Sequence, residues 1–205
     1  MTLIEVIDES IFIWDALRHS PEASDSSWEV GVRTKTWVNF SAARAEVADL
    51  VVLSAELIDH VPAVLKVRAI TRLGTRVGVL VNSEDTTIES RLRLEGASFV
   101  ARRTTTTWEQ FLGTLRAALA SPPSSSNDFP RPGLTDRELQ IAALFASRAA
   151  PTTQQIAELL ALGPGTVRTH LKRARHRLGA HGLVVSSREE LRSGLLAAGY
   201  LVEEV

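Results

Sequence analysis

Between Pro164 and Leu178 the chain carries five lysines and arginines and no acid. Val167 and Leu171, four residues apart, would give this stretch a buried stripe if it is helical. Arg168, Thr169, Lys172, Arg173, Arg175 and Arg177 are then expected on the outward face. A helix of about 15 residues with aliphatics inside and cations outside has the shape and charge to enter the DNA major groove. Near its start, Arg168 and Lys172 can donate to guanine O6 and N7, and the Thr169 methyl can meet a thymine methyl. Farther along, Arg173, Arg175 and Arg177 are placed for backbone phosphates, as is Thr166 at the helix start. Other chemistries find less support. The chain has no cysteine, which excludes disulfides and thiolate metal sites, and its five histidines show no metal spacing. No cofactor and no catalytic group is expected.

Elements must hold that helix in place. Residues 134–205 have nine Lys/Arg against seven Asp/Glu, whereas the whole chain has a net charge of −1. The basic character is therefore local, which is what phosphate contact requires. The stretch 121–133, SPPSSSNDFPRPG, cannot sustain a helix or a sheet ladder and reads as an extended connector. It separates a unit at 1–120 from a unit at 134–205.

In the first unit, apolar runs at Leu3–Ile7, Trp28–Val32, Leu50–Leu53, Val77–Val81 and Phe99–Ala101 read as strands. Several are apolar at consecutive positions, the mark of strands buried on both faces. Helical patterns at Ile11–Arg18, Ala42–Val47, Ala63–Leu73, Thr86–Leu94 and Trp108–Leu119 alternate with them. Strand then helix, five times over, predicts a doubly wound α/β domain. The second unit reads as all-α, with helices at Thr135–Ser147, Thr153–Leu160, Pro164–Leu178 and Ser187–Ala198. Thr135 and Glu138 have capping-box spacing, and Pro164 suits a first helical turn. Ile156, Ala157 and Leu160 would form the inner face of a short helix, with Leu162-Gly163 as the tight turn into the cationic one.

Leu134-Thr-Asp-Arg-Glu138, Ile156-Ala157, Gly165-Thr-Val-Arg-Thr-His-Leu171 and Arg177-Leu-Gly179 together resemble the helix-turn-helix DNA-binding domain of the LuxR/NarL family. The resemblance covers about 134–199. It implies that Arg168, Thr169 and Lys172 face the bases and that Ser187–Ala198 mediates dimer contact. His181-Gly-Leu-Val-Val185 departs from it as a few extra residues before the last helix. Gly165–Leu178 also resembles region four of extracytoplasmic-function sigma factors, but no partner region that would melt a promoter accompanies it.

With this reader, the βα order of the first unit is similar to a response-regulator receiver. Phosphoryl-accepting receivers need paired acids for magnesium, an acceptor aspartate, a hydroxyl and a lysine. By that resemblance Asp8 and Glu9 match the acids, and Ser54 stands at the acceptor position. Val81 stands at the hydroxyl position, with Ser83 as a shifted alternative, and Arg103 or Arg102 at the lysine. Serine offers no charge to magnesium and would need a base to become nucleophilic. The pocket therefore reads as a degenerate phosphorylation site. Asp8 and Glu9 could still hold magnesium weakly, although a solvated acidic pair is the favoured reading. Asp59 lies too far beyond the strand end to substitute as acceptor.

The sequence thus predicts an atypical receiver-like (βα)5 domain followed by a LuxR-type helix-turn-helix domain. The expected function is sequence-specific transcription regulation, on double-stranded DNA, as a homodimer, without aspartyl phosphorylation. The alternatives are a receiver with a non-standard acceptor, or an interaction module acting on RNA polymerase. The acidic N-terminus does not read as a signal peptide, and no apolar run approaches a membrane span, so a cytoplasmic protein is expected.

Overall fold

The computed structural model describes residues 2–122, apart from 26, 41, 58, 60 and 83, together with 133–202. Ser83 and most of the expected connector, 123–132, lie outside the described residues.

Five strands form one parallel sheet: β1 (Thr2–Ile7), β2 (Trp28–Val30), β3 (Leu50–Ser54), β4 (Arg76–Val81) and β5 (Phe99–Arg102), in the order β2-β1-β3-β4-β5. Leu50 pairs with Ile4 of β1 and with Arg76 of β4, which sets the register of the central strand. The apolar side chains alternate across the sheet, and each set is covered. Val52, Leu80, Phe99 and Ala101 pack with helices α1 (Phe12–Arg18) and α6 (Trp108–Ala120). Val51, Leu53, Val79 and Val100 pack with α3 (Ala42–Val47), α4 (Ala63–Arg72) and α5 (Thr86–Leu94) on the other face. Burial on both faces explains why these strands read as continuous apolar runs. Gly78 in β4 leaves the space that the Phe99 ring fills; a Cβ there would collide with the ring.

Between α1 and β2 lies a short helix α2 (Pro21–Ser24), absent from the sequence reading, whose N-cap Ser20 accepts from the backbone of Ala23. β2 stops at Val30, two residues earlier than expected. A single 3-10 turn at Trp37–Asn39 precedes α3.

Four helices follow: α7 (Asp136–Ala146), α8 (Thr153–Leu159), α9 (Pro164–Ala180) and α10 (Arg188–Ala197). The predicted capping box at Thr135 and Glu138 is formed. Thr152 with Gln155 and Ser187 with Glu190 repeat it, satisfying orphan amides at three of the four starts.

The two parts are packed together through α4 and α5. Arg68 of α4 is wholly buried. Its Nε and one terminal nitrogen each lie 2.7 Å from a Glu95 oxygen, while the other donates to the Leu134 carbonyl at 3.1 Å and to Asp136 at 2.8 Å. Arg72 reaches the second Asp136 oxygen at 2.5 Å. Arg91 of α5 donates to the Ala198 carbonyl at 3.1 Å and stacks over the Tyr200 ring at 4.5 Å. The Tyr200 hydroxyl accepts the Leu134 N–H. One apolar cluster runs from Val67 and Ile88 through Leu134 to Leu195 and Tyr200.

Candidate nucleic-acid interface

α9 is built as its pattern demands. Val167, Leu171, Ala174 and Leu178 recur at intervals of four, three and four, and all are buried against α7 and α8. Ile156 and Ala157 of α8 are buried beneath them, the small Ala157 allowing a close crossing. α8 ends earlier than the sequence suggested. Ala161 adopts φ 52°, and the Leu162 and Ala161 amides bond back to Ala157 and Glu158. That is a Schellman-type stop with alanine in the left-handed region, a conformation costing roughly 1–2 kcal/mol without glycine. Gly163, at φ −76°, instead caps α9 ahead of Pro164.

Thr166, Arg168, Thr169, Lys172, Arg173 and His176 lie exposed along α9. Thr169 donates its hydroxyl to the Gly165 carbonyl at 2.9 Å, which leaves its methyl and the acceptor side of its oxygen for a partner. Two predicted outward cations are placed differently. Arg175 is half-buried, its guanidinium 5.5 Å from the centre of the Phe145 ring, which Arg188 also covers at 4.0 Å. Position 175 flanks the buried Leu171–Ala174 stripe, and the face of the half-buried Phe145 ring draws the guanidinium inward. Arg177 remains exposed but donates to the Gly133 carbonyl at 2.8 Å and sits 3.4 Å from Glu138.

The extra residues before α10 have a definite role. Gly182, at φ +81°, ends α9, after which Val185 folds back onto Gly194 of α10. A side chain at Gly194 would meet Val185 at 2.8 Å. This segment therefore covers part of the helix that the family resemblance assigns to dimer contact.

At the C-terminal edge of the sheet, Asp8, Ser54 and Arg103 are brought together. Asp8 is 3% exposed. One of its oxygens accepts the Ser10 N–H at 3.0 Å, and the other lies 2.6 Å from the Arg103 guanidinium. The expectation of a solvated acidic pair is thus wrong for Asp8, because Arg103 closes over it as β5 ends; Glu9 is exposed as expected. Val81 is fully buried in the core and offers no polar group. Arg102, the weaker candidate, pairs with Glu89 at 3.1 Å instead. Ser54 is buried and donates to Glu56 at 3.4 Å.

Glu56 went unnoticed in the sequence. Its other oxygen accepts the Asn82 N–H at 2.7 Å. Burial pushes its carboxyl up from the usual range, against hydrogen bonds from Asn82, its own backbone N–H and Ser54 and the charge of Arg103. An acid two residues past a strand has no sequence signal until the loop folds back. Asp59 is held by Lys66 at 2.7 Å, with the lysine fully buried on α4. Burial lowers the ammonium pKa, opposed by Asp59 and the charge of Glu9.

Magnesium does not fit this arrangement. Both Asp8 oxygens are engaged, and a guanidinium occupies the flank where a cation would sit. No group of three or more metal-ligating side chains is arranged to hold an ion among the described residues. At this edge of the sheet Asp8 pairs with Arg103, Arg102 with Glu89 and Lys66 with Asp59.

The class defined by fold and site is a receiver-type α/β domain joined to a helical regulatory domain. Residues 132–189 match the family described as bacterial regulatory proteins, luxR family, so the chain carries a LuxR-family domain there. No curated protein sequence matches. Among solved structures, RcsB from Salmonella enterica serovar Typhimurium, bound to promoter rprA with phosphomimetic BeF3-, superposes with a TM-score of 0.60. Its identity is 15%, over 95% of this chain and 98% of that one. A structure of the two-component response regulator RcsB in complex with DNA gives 0.60 at 19% identity, over 95% and 98%. A response regulator from Thermotoga maritima gives 0.50 at 20%, over 59% of this chain and 99% of that one. At these identities the likeness speaks to the fold. Among the described residues no helix is long and apolar enough to cross a membrane.

Proposed function

We propose that this chain is a dimeric, sequence-specific DNA-binding transcription regulator of the response-regulator type, acting in the cytoplasm and not controlled by aspartyl phosphorylation. The observation that carries the reading is the exposed row Arg168, Thr169, Lys172 and Arg173 on a helix whose opposite stripe is fully buried. In this reading residues 1–120 are the receiver-like half, 121–133 the connector and 134–205 the DNA reader. Arg168, Thr169 and Lys172 contact bases, and Thr166, Arg173 and Arg177 contact phosphates. Arg175 could join them only by leaving the Phe145 ring. The matched LuxR-family domain and the RcsB–DNA complexes of the same fold support the assignment. The Asp8–Arg103 pair and the serine at position 54 support an input other than phosphorylation.

The test is selection of binding sites from a random duplex library with the full-length chain, followed by titration of variants. Arg168→Ala and Lys172→Ala are each expected to cost about 1–3 kcal/mol at the selected site and to relax its sequence preference. Unchanged binding by both would remove α9 as the reader.

A further inference from the structure

We infer that the duplex is held at a second place, a phosphate-binding cleft at the seam between the two halves, to which the receiver-like half contributes Arg72. The inference rests on the proposed DNA-binding function and extends its footprint.

The cleft has a volume of about 350 Å³ and is walled by Arg68, Arg72, Arg137 and Arg177, with Asp136 as its one carboxylate. Arg68 is buried with its donors engaged, so the donors open to an anion are those of Arg72, Arg137 and Arg177, and the three acids that touch these four guanidiniums leave one positive charge in excess. Glu95 is matched to Arg68, two nitrogens to two oxygens. Asp136 is shared between Arg68 and Arg72. Glu138 is buried, 3.4 Å from Arg177. Arg137 bonds to a neutral partner, the Gln140 carbonyl oxygen, at 2.9 Å and is exposed. Arg72 keeps 42% of its side chain in solvent and Arg177 keeps 46%. Each therefore has guanidinium donors left for a phosphate oxygen, and arginine matches that geometry in a planar fork.

Continuity identifies the source of the phosphate. Arg177 also walls the adjoining groove along α9, with Thr169, Lys172, Arg173 and His176. Cations thus run from the reading face, one helical turn (about 6 Å) from Arg173 to Arg177, and on across the seam to Arg137 and Arg72. A backbone strand leaving the major groove would find this track next. The ion pairs of Arg68 and Arg72 with Asp136 hold α4 against α7, so Arg72 is already positioned when the duplex arrives.

The experiment measures affinity of the full-length chain for a mixed-sequence duplex, and for the best library-selected duplex, across a series of salt concentrations. Arg72→Gln and Arg137→Gln are each expected to lower the slope of log K against log salt by about 0.9 while leaving sequence preference unchanged. Arg72→Lys should restore most of the slope. Arg137→Gln touches no contact across the seam, so it keeps the test valid if Arg72→Gln disturbs packing. Slopes equal to the parent chain in both glutamine variants would overturn the proposal. So would a cleft that takes only free anion: inorganic phosphate would then raise the melting temperature of the parent chain but not of Arg137→Gln, with DNA slopes unaltered. Failure of the reader helix shows differently, as intact binding and preference in Arg168→Ala and Lys172→Ala.

Discussion

The Arg103 guanidinium lies 2.6 Å from Asp8 Oδ2, joining the end of β5 to the end of β1 where a phosphoryl-accepting receiver would hold its metal. The Asp8 carboxylate is thereby paired to a group of the chain itself.

Incubation with acetyl phosphate and magnesium is therefore expected to leave the intact mass unchanged. Ser54 is buried, and its neutral hydroxyl, which donates to Glu56 at 3.4 Å, brings no charge to bind magnesium. A stoichiometric phosphoryl adduct, located by peptide mapping, would reverse this view of the pocket.

Arg68 is the keystone of the seam. Burial acts to lower its pKa, but hydrogen bonds and charge from Glu95 and then Asp136 outweigh it and keep the guanidinium protonated. Arg68→Met would leave Glu95 buried, with Arg91 at 3.7 Å as its remaining ion-pair partner. Denaturant unfolding is expected to show a loss of about 3–5 kcal/mol, the usual cost of stripping one partner from a buried pair. Adding Glu95→Gln should recover part of it. A loss below about 1 kcal/mol would show that the seam does not depend on this charge.

Acid should loosen the same seam. Burial pushes the Asp136 carboxyl up, yet hydrogen bonds from Arg68 and Arg72, with their charges, hold it below the ordinary aspartate value. A depressed folded-state pKa contributes stability that is present above the unfolded value, about 4. That contribution fades as pH falls through the lowered folded-state value. Melting curves through this acid range should therefore be flatter for Asp136→Asn than for the parent chain.

Gly199 follows α10 at φ +70° with its α-carbon against α5. A Cβ there would sit 2.6 Å from the Thr87 carbonyl oxygen, so Gly199→Ala is both strained and obstructed. A loss of roughly 1–3 kcal/mol is expected in thermal unfolding. Gly113→Ala, inside α6 with open space around it, should be neutral or stabilising by up to about 1 kcal/mol. Equal effects at the two sites would contradict the packing of the last turn on α5.

Among the described residues, apolar patterning and cap signals located the five strands and nine of the ten α-helices, α9 among them, because each buries a face whose spacing is written in its residues. Val167 and Leu171 marked the inner stripe of α9, and Arg168, Lys172 and Arg173 are turned away from it as that spacing requires. The α2 turn at Pro21–Ser24 was missed, since four residues carry too little period to detect. Charge pairing was less legible. Arg175 and Arg177 look like the cations beside them until α7 brings Phe145, Gly133 and Glu138 to their flank.

The amino-acid order determined what is local: the alternation of strand and helix, the caps, and the amphipathic pattern of α9. The tertiary fold alone decided which charges meet. Arg103 with Asp8 spans 95 residues and Arg68 with Asp136 spans 68. No spacing rule reaches that far, because such pairs depend on where whole elements pack and not on the geometry of one helix or strand.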